Sequence, residues 1–262
     1  MKKAFGLPAC VLVFLPAVTF ADSPFAGTWT GDLSTAKVSA KPDVFLLQDG
    51  TYTCKTCTPP VKIAADGKDH SVSGIPYYDV LNVAMLDERT ILQTGKRAGK
   101  TVFTSRFSVS ADGSSATDDF TDATATNAAP VTGTVGWKRV ASGPPGSHAV
   151  SGSWSEGPLK ISDNGVTITL KVTDNTLSMT SPTGASYVAQ LDGTEASYSG
   201  DPGVTTVSVR KIDERTFEET DKRDGKPVAA FRWRFDPGGK TAHVRLTDVA
   251  NGNVTEMLAR KQ

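Results

Sequence analysis

Much of this chain is written twice, and that repetition limits what it can fold into. Asp66–Asp122 lies over Asp192–Asp248 at a constant offset of 126 residues, without a gap. Asp66-Gly67 meets Asp192-Gly193, Ser73-Gly74 meets Ser199-Gly200, and Pro76 meets Pro202. Asp87-Glu88-Arg89-Thr90 meets Asp213-Glu214-Arg215-Thr216, and Gly99-Lys100 meets Gly225-Lys226. The matches concentrate at turn residues, whose backbone chemistry a duplicated β-fold must keep while its strands diverge. The 262 residues then divide into two units. A domain of about 120 residues buries roughly two-thirds of its unfolded surface, so neither unit needs a metal or a staple.

Within each unit the hydrophobic period is two. Leu81, Val83 and Met85 share a face, as do their copies Val207, Val209 and Lys211. Phe103, Phe107 and Val109 correspond to Ala229, Trp233 and Phe235, and Ala116 and Phe120 to Ala242 and Leu246. The residues between them are largely polar, such as Thr104, Arg106, Arg232, Arg234, His243 and Arg245. Such alternation is that of half-buried antiparallel strands. Turn signals recur through both units, among them Asp49-Gly50, Ala98-Gly99, Asn164-Gly165 and Asp224-Gly225. The spacing predicts an all-β chain of two tandem antiparallel meander β-barrels, with a sandwich as the alternative. Residues 22–140 form the first expected unit and 149–262 the second. Residues 141–148, Ala-Ser-Gly-Pro-Pro-Gly-Ser-His, read as a linker.

Met1–Ala21 has the pattern of a secretory signal: Lys2 and Lys3, an apolar run, and small residues ahead of Asp22. The run is short of the ~20 residues of a membrane span. The mature chain is expected to be soluble, without membrane insertion, and periplasmic or secreted. Removal of the leader takes Cys10 with it and leaves Cys54 and Cys57, which an oxidising compartment favours as a disulfide. Charge is balanced at 28 basic and 28 acidic residues, so loss of Lys2 and Lys3 gives 26 − 28 = −2. That offers no electrostatic attraction to nucleic acid or an anionic membrane.

Each unit opens on Gly-x-Trp (Gly27-Thr28-Trp29, Gly152-Ser153-Trp154) and ends on a strand with an arginine, Arg139 or Arg260. This pattern resembles the lipocalin and fatty-acid-binding superfamily. The resemblance implies a barrel plugged at one end by Trp29 or Trp154, with Arg139 or Arg260 packed over the indole. The helical lid of fatty-acid-binding proteins has no counterpart in the sequence. The chain is also similar to exported bacterial proteins of uncharacterised function. That similarity rests on the Gly-Thr-Trp start, Tyr52-Thr53-Cys54-Lys55-Thr56-Cys57, and Asp66-Gly67-Lys68-Asp69-His70. It implies a fold and a compartment but no activity.

No catalytic, cofactor or metal constellation emerges. Cys54-x-x-Cys57 precedes Thr58-Pro59-Pro60, which suits a loop better than the helix that activates redox thiols. Zinc needs a second ligand pair, and His70, His148 and His243 are scattered. Gly95–Thr101 is one residue short of a phosphate loop and lies between strands, so it reads as a hairpin tip. Asp87-Glu88 and Asp213-Glu214 read as turn caps rather than an acid–base pair. Arg232, Arg234, His243 and Arg245 form an outward basic stripe, with Glu218 as a cross-strand partner. The aromatics Phe103, Phe107, Phe120, Phe231, Trp233 and Phe235 are candidates to line a ligand, and Tyr77-Tyr78 to rim a barrel mouth. The expected function is an exported binder of a small apolar molecule inside a barrel. The alternative is an envelope structural or protein-interaction module with neither ligand nor catalysis.

Overall fold

The computed structural model describes residues 23–125 and 128–262. The leader expected over residues 1–21 lies outside them. The described chain forms β1 (Gly27–Ser39), β2 (Asp43–Gln48), β3 (Thr51–Cys54), β4 (Val61–Ala64), β5 (Asp66–Ser71), β6 (Val80–Met85), β7 (Thr90–Arg97), β8 (Lys100–Val109), β9 (Ser115–Asp122) and β10 (Val131–Ser142). It continues through β11 (Gly152–Ile161), β12 (Thr167–Thr173), β13 (Thr176–Thr180), β14 (Ser186–Gln190), β15 (Asp192–Ser199), β16 (Thr206–Asp213), β17 (Thr216–Arg223), β18 (Lys226–Phe235), β19 (Thr241–Asp248) and β20 (Val254–Lys261). The last three strands before each unit's final strand repeat at the 126-residue offset to the residue: β7 with β17, β8 with β18, β9 with β19. No described helix is long and apolar enough to cross a membrane.

These strands build two antiparallel ten-stranded barrels, not a sandwich. Their membership departs from chain order at one place in each. β1 pairs with β12 and β20 and so closes the second barrel. β11 pairs with β10 and β2 and so completes the first. The two Gly-x-Trp strands have therefore exchanged places. Barrel one is the contiguous segment 43–161, inserted between the first and second strands of barrel two. The division expected at residues 141–148 does not separate the barrels. Ala141 and Ser142 belong to β10, and the remainder is a hairpin connection held to barrel one. His148 donates its backbone N–H to the Leu47 carbonyl (2.9 Å), and its Nε2 lies 2.7 Å from the Asp87 carbonyl.

The physical reason is the Gly-x-Trp anchor that the two strands share, together with the short chain that leaves β1. Trp29 and Trp154 are both wholly buried, and each indole N–H donates to the carbonyl four residues earlier, Phe25 or Val150, at 2.9 Å. Gly27 (φ 141°) and Gly152 (φ 136°) hold a conformation that disfavours a side chain. A Cβ on Gly152 would run into the Ala141 carbonyl. The two strands thus carry the same anchor. Only Ala40-Lys41-Pro42 separates β1 from β2. Pro42 biases Lys41 toward extended backbone, which favours crossing to the neighbouring barrel over a tight return.

Each Trp anchors the core at the lower end of its barrel. Trp29 packs with Phe25, Phe217, Phe235 and Trp233, and Trp154 with Phe107, Val150 and Leu47. Because of the exchange, Arg139 lies over Trp154, its guanidinium 3.9 Å from the ring centroid. It also donates to the carbonyls of Gly113, Ser151 and Ala149. Over Trp29 the basic group is Lys261, at 5.7 Å; Arg260 turns outward to Asp32 at 2.8 Å. The expected apolar faces hold for Leu81, Val83, Val207 and Val209, but Met85 and Lys211 reach solvent where the strand leaves the core.

Barrel two is closed, whereas barrel one is open between β4 and β5, its two edge strands. The loop carrying the Cys54–Cys57 disulfide lies beside this seam, where Pro59 faces Gly74. In barrel two the polar turn Ser181–Gly184 stands at the same place and closes through the Gly184 N–H to the Ser181 carbonyl (2.9 Å). The bridge is thus local. Reduction, or Cys54→Ser with Cys57→Ser, is expected to lower stability by about 2 kcal/mol at most and to leave the β-sheet circular dichroism intact. Collapse of the far-ultraviolet signal on reduction would show that the bridge organises the barrel instead.

Candidate functional site

The lower ends of both barrels are filled; the chemistry sits in the upper halves, which meet. The β5–β6 loop of barrel one and the β15–β16 loop of barrel two are repeat equivalents, and they touch at equivalent residues. The Tyr77 hydroxyl packs against Gly203 so closely that a Cβ there would overlap it. The same loop packs its Asp201 against that phenol, and Asp201 Oδ1 accepts the Gly203 backbone N–H at 2.6 Å. Between the loops opens a cleft of about 360 Å³. Phe120, Val131 and Ile161 wall it from β9, β10 and β11, Pro202 from barrel two, and Tyr77, Asp122 and Asp201 supply its polar groups.

Strand register explains why these side chains converge. In β9, Ala116, Asp118, Phe120 and Asp122 alternate inward, and their partners on β10 are Trp137, Val135, Gly133 and Val131. Gly133 is required here: a Cβ would collide with the Phe120 ring. Gly95, on β7, likewise leaves room for Tyr78, which stacks on Phe103 at 6.2 Å. Deeper in barrel one, Ser105 donates to Asp118 Oδ1 at 2.5 Å, and burial holds this carboxyl above its ordinary range. The Trp137 indole nitrogen is buried there without a partner.

Barrel two has an acidic upper interior. Phe217, Glu219 and Asp221 share the inward face of β17, opposite Trp233, Phe231 and Ala229. Tyr187 donates its hydroxyl to Glu219 Oε2 at 2.8 Å and packs on Tyr198, with centroids 5.7 Å apart. Burial raises both carboxyls, Glu219 well above the usual range and with a further push from the charge of Asp221. Burial and the nearby carboxylates also raise the Tyr187 and Tyr198 phenols. Asp201 is raised by burial and by Asp122, and Tyr77 is pushed up to about 12 by burial and the charge of Asp201. The run Glu219–Asp221–Asp201–Asp122 thus leads from the barrel interior to the cleft.

The expected lining residues divide. Phe107, Trp233 and Phe235 belong to the filled lower cores. Phe231 is partly buried against the core of barrel two beside Glu219. Tyr78 and Phe103 form the stacked pair at the upper interior of barrel one, and Phe120 and Tyr77 line the cleft. Asp118, Asp201, Glu219 and Asp221 are not among the residues expected from sequence. Their signal is the same alternation: Glu219 and Asp221 follow Phe217 at steps of two, and Asp118 stands between Ala116 and Phe120.

The other motifs take structural places. Asp87 and Asp213 each accept the backbone N–H two residues on, at 2.8 Å, as turn caps do. Ala98-Gly99 and Asp224-Gly225 form hairpin tips with positive φ. Arg232 pairs with Glu218 and Arg245 with Glu256, each at 2.5 Å. His70 pairs with Asp66 at 2.8 Å on edge strand β5. Among the described residues no group of three or more His, Cys, Asp or Glu is arranged to hold a metal ion. Compared with protein families, curated proteins and solved structures, the chain matches none.

Proposed function

We propose that this is an exported, lipocalin-like binder of a small, largely apolar molecule, with the ligand seated in the cleft between the two barrels. The observation that carries the reading is the cleft itself: about 360 Å³, walled by Phe120, Val131, Ile161 and Pro202, with Tyr77, Asp122 and Asp201 converging on it. An apolar hollow with a few placed polar groups is the usual form of a small-molecule site. The filled lower cores argue against a ligand deep inside either barrel. Export rests on the pattern of Met1–Ala21, and a disulfide suits an oxidising compartment.

Native mass spectrometry of the protein purified from its host's extract tests the reading. An additional mass of a few hundred daltons is expected, on the order of a ligand filling such a cleft. Ala185→Trp, which fills the cleft from barrel two, is expected to abolish it, while Val188→Trp on the exposed outer surface retains it. A bare polypeptide in every preparation, accompanied by a co-purifying protein, would favour the interaction-module reading instead.

A further inference from the structure

We propose a second binding site, apart from the cleft: a groove on the outer face of barrel two that receives a small organic phosphate at Arg234. Its occupancy does not depend on the cleft. The groove, of about 520 Å³, lies over β18, β19 and β20, and a bulge in β1 forms one wall. Asp32 pairs with Leu258 and Lys37 with Glu256, so Leu33–Ala36 stand opposite Met257 alone. The Leu258 N–H donates to the Thr35 hydroxyl at 2.9 Å and pins the bulge to the sheet.

In register across the sheet, one row runs Glu218, Arg232, Arg245, Glu256, Lys37. Glu218 and Glu256 flank the arginines and bond them at 2.5 Å. The next row sets Arg234 opposite His243, and His243 opposite Leu258. Here the acids are remote or taken: Asp32 holds Arg260 at 2.8 Å, and Asp236 lies 3.9 Å from His243. Arg234 and Lys37 form no ion pair among the described residues. Like charges directly opposite each other weaken a sheet. The repeat supplies the control. At the 126-residue offset, Arg232 and Arg245 correspond to Arg106 and Asp119, an opposite-charge pair across β8 and β9. Arg234 and His243 correspond to the neutral pair Ser108 and Thr117. Barrel one thus shows that the fold itself needs neither the arginine pair nor Arg234.

An anion in the groove offsets that repulsion. Arg232 and Arg245 each give one nitrogen to an acid, and a guanidinium has further N–H donors to offer. A phosphate monoester brings up to two charges and three acceptor oxygens to one point. It can therefore serve Arg234 together with an arginine of the adjacent row, where a carboxylate brings a single charge. The half-buried Leu258 and Met257 give the apolar remainder of the ligand a floor. The even charge of the whole chain averages this face away.

The test titrates the full chain with hexyl phosphate, hexanoate and inorganic phosphate by isothermal titration calorimetry at neutral pH and low salt. Backbone amide shifts locate each probe. Hexyl phosphate is expected to bind about tenfold tighter than either of the others and to move the amides of β18, β19 and β20. Arg234 is exposed and has no ion-pair partner to strand, so Arg234→Gln keeps the fold and is expected to weaken hexyl phosphate about tenfold. Arg106→Gln, the same change of charge on the exposed face of barrel one, leaves binding unchanged, as does Ala185→Trp in the cleft. Hexanoate or inorganic phosphate binding as tightly as hexyl phosphate overturns the organic-phosphate assignment. Absence of binding, amide shifts confined to the cleft, or no response to Arg234→Gln overturns the site. Vesicles carrying phosphatidic acid in phosphatidylcholine are expected to leave the protein in solution; co-sedimentation that Arg234→Gln abolishes would assign the groove to a membrane headgroup and overturn the small-molecule ligand.

Discussion

Between pH 4 and pH 6 the protein should become less stable as pH rises, and Glu219→Gln with Asp221→Asn should abolish most of that fall. The sign follows from the direction of the shifts. Both carboxyls keep their protons in the fold at pH values where the unfolded chain has released them. The unfolded state therefore gains from each rise in pH through the ordinary carboxylate range, until the folded carboxyls ionise as well. Asp221 alone moves from 3.8 to about 6. A displacement of that size corresponds to roughly 3 kcal/mol, fully lost above the folded value. The carboxyls held low by their partners, such as Asp112 at about 2 beside Ser110 and Ser114, work in the other direction and at lower pH. Stability should accordingly peak near pH 4, in place of the usual broad neutral maximum. Denaturant titrations across this range, followed by tryptophan fluorescence, measure it. A wild-type stability that climbs from pH 5 to pH 8 would show that the pair is not proton-bound in the fold. Glutamine at 219 can still accept the Tyr187 hydroxyl, so the variant isolates charge from packing. Asp118, the raised carboxyl of barrel one, stays in place and reports how much of the slope belongs to that barrel.

The legible part of this fold was its local chemistry. The period of two placed Leu81, Val83, Val207, Val209, Phe107 and Phe235 inside, and the repeated Asp-Gly and Gly-Lys pairs placed the hairpins, because strand burial and turn geometry are decided within a few residues. The partners of β1 were not legible for the same reason that the repeat was so plain. Gly27-x-Trp29 and Gly152-x-Trp154 are near copies, so the motif itself does not say which barrel its strand closes. That choice lies in Ala40-Lys41-Pro42 and in the hairpin through His148, where the chain either returns or crosses. The acidic interior was hidden differently. Glu219 and Asp221 obey the alternation that marks a core, but a charged residue is ordinarily assigned to solvent, and only register shows them facing inward. The cleft was beyond reach, since it exists only where two distant loops, around Tyr77 and Asp201, come together.

The strand exchange carries the sharper test, because it sends the effect of one mutation to an unexpected half of the chain. Trp29 lies near the beginning of the sequence, beside barrel one in chain order, yet its indole fills the floor of barrel two with Phe217, Phe235 and Leu170. Trp29→Ala should therefore cost about 3–5 kcal/mol, the usual loss for removing a buried tryptophan. Residue-resolved hydrogen exchange should show the loss in β12 through β20, with β2 through β11 keeping most of their protection. Trp154→Ala should do the reverse, opening residues 43–161 although Trp154 follows the apparent linker. The two results together separate exchange from a simple tandem arrangement, in which each tryptophan would destabilise the strands that follow it in its own repeat. Loss of protection in β2 through β10 on Trp29→Ala, with barrel two unaffected, would mean that the strands pair within their own units. A cut placed between Ser39 and Asp43 sharpens the comparison. Under exchange, β1 stays bound to barrel two through its pairing with β12 and β20, and barrel one loses no strand at all. In the tandem arrangement the same cut leaves barrel one holding its first strand by hydrogen bonds alone.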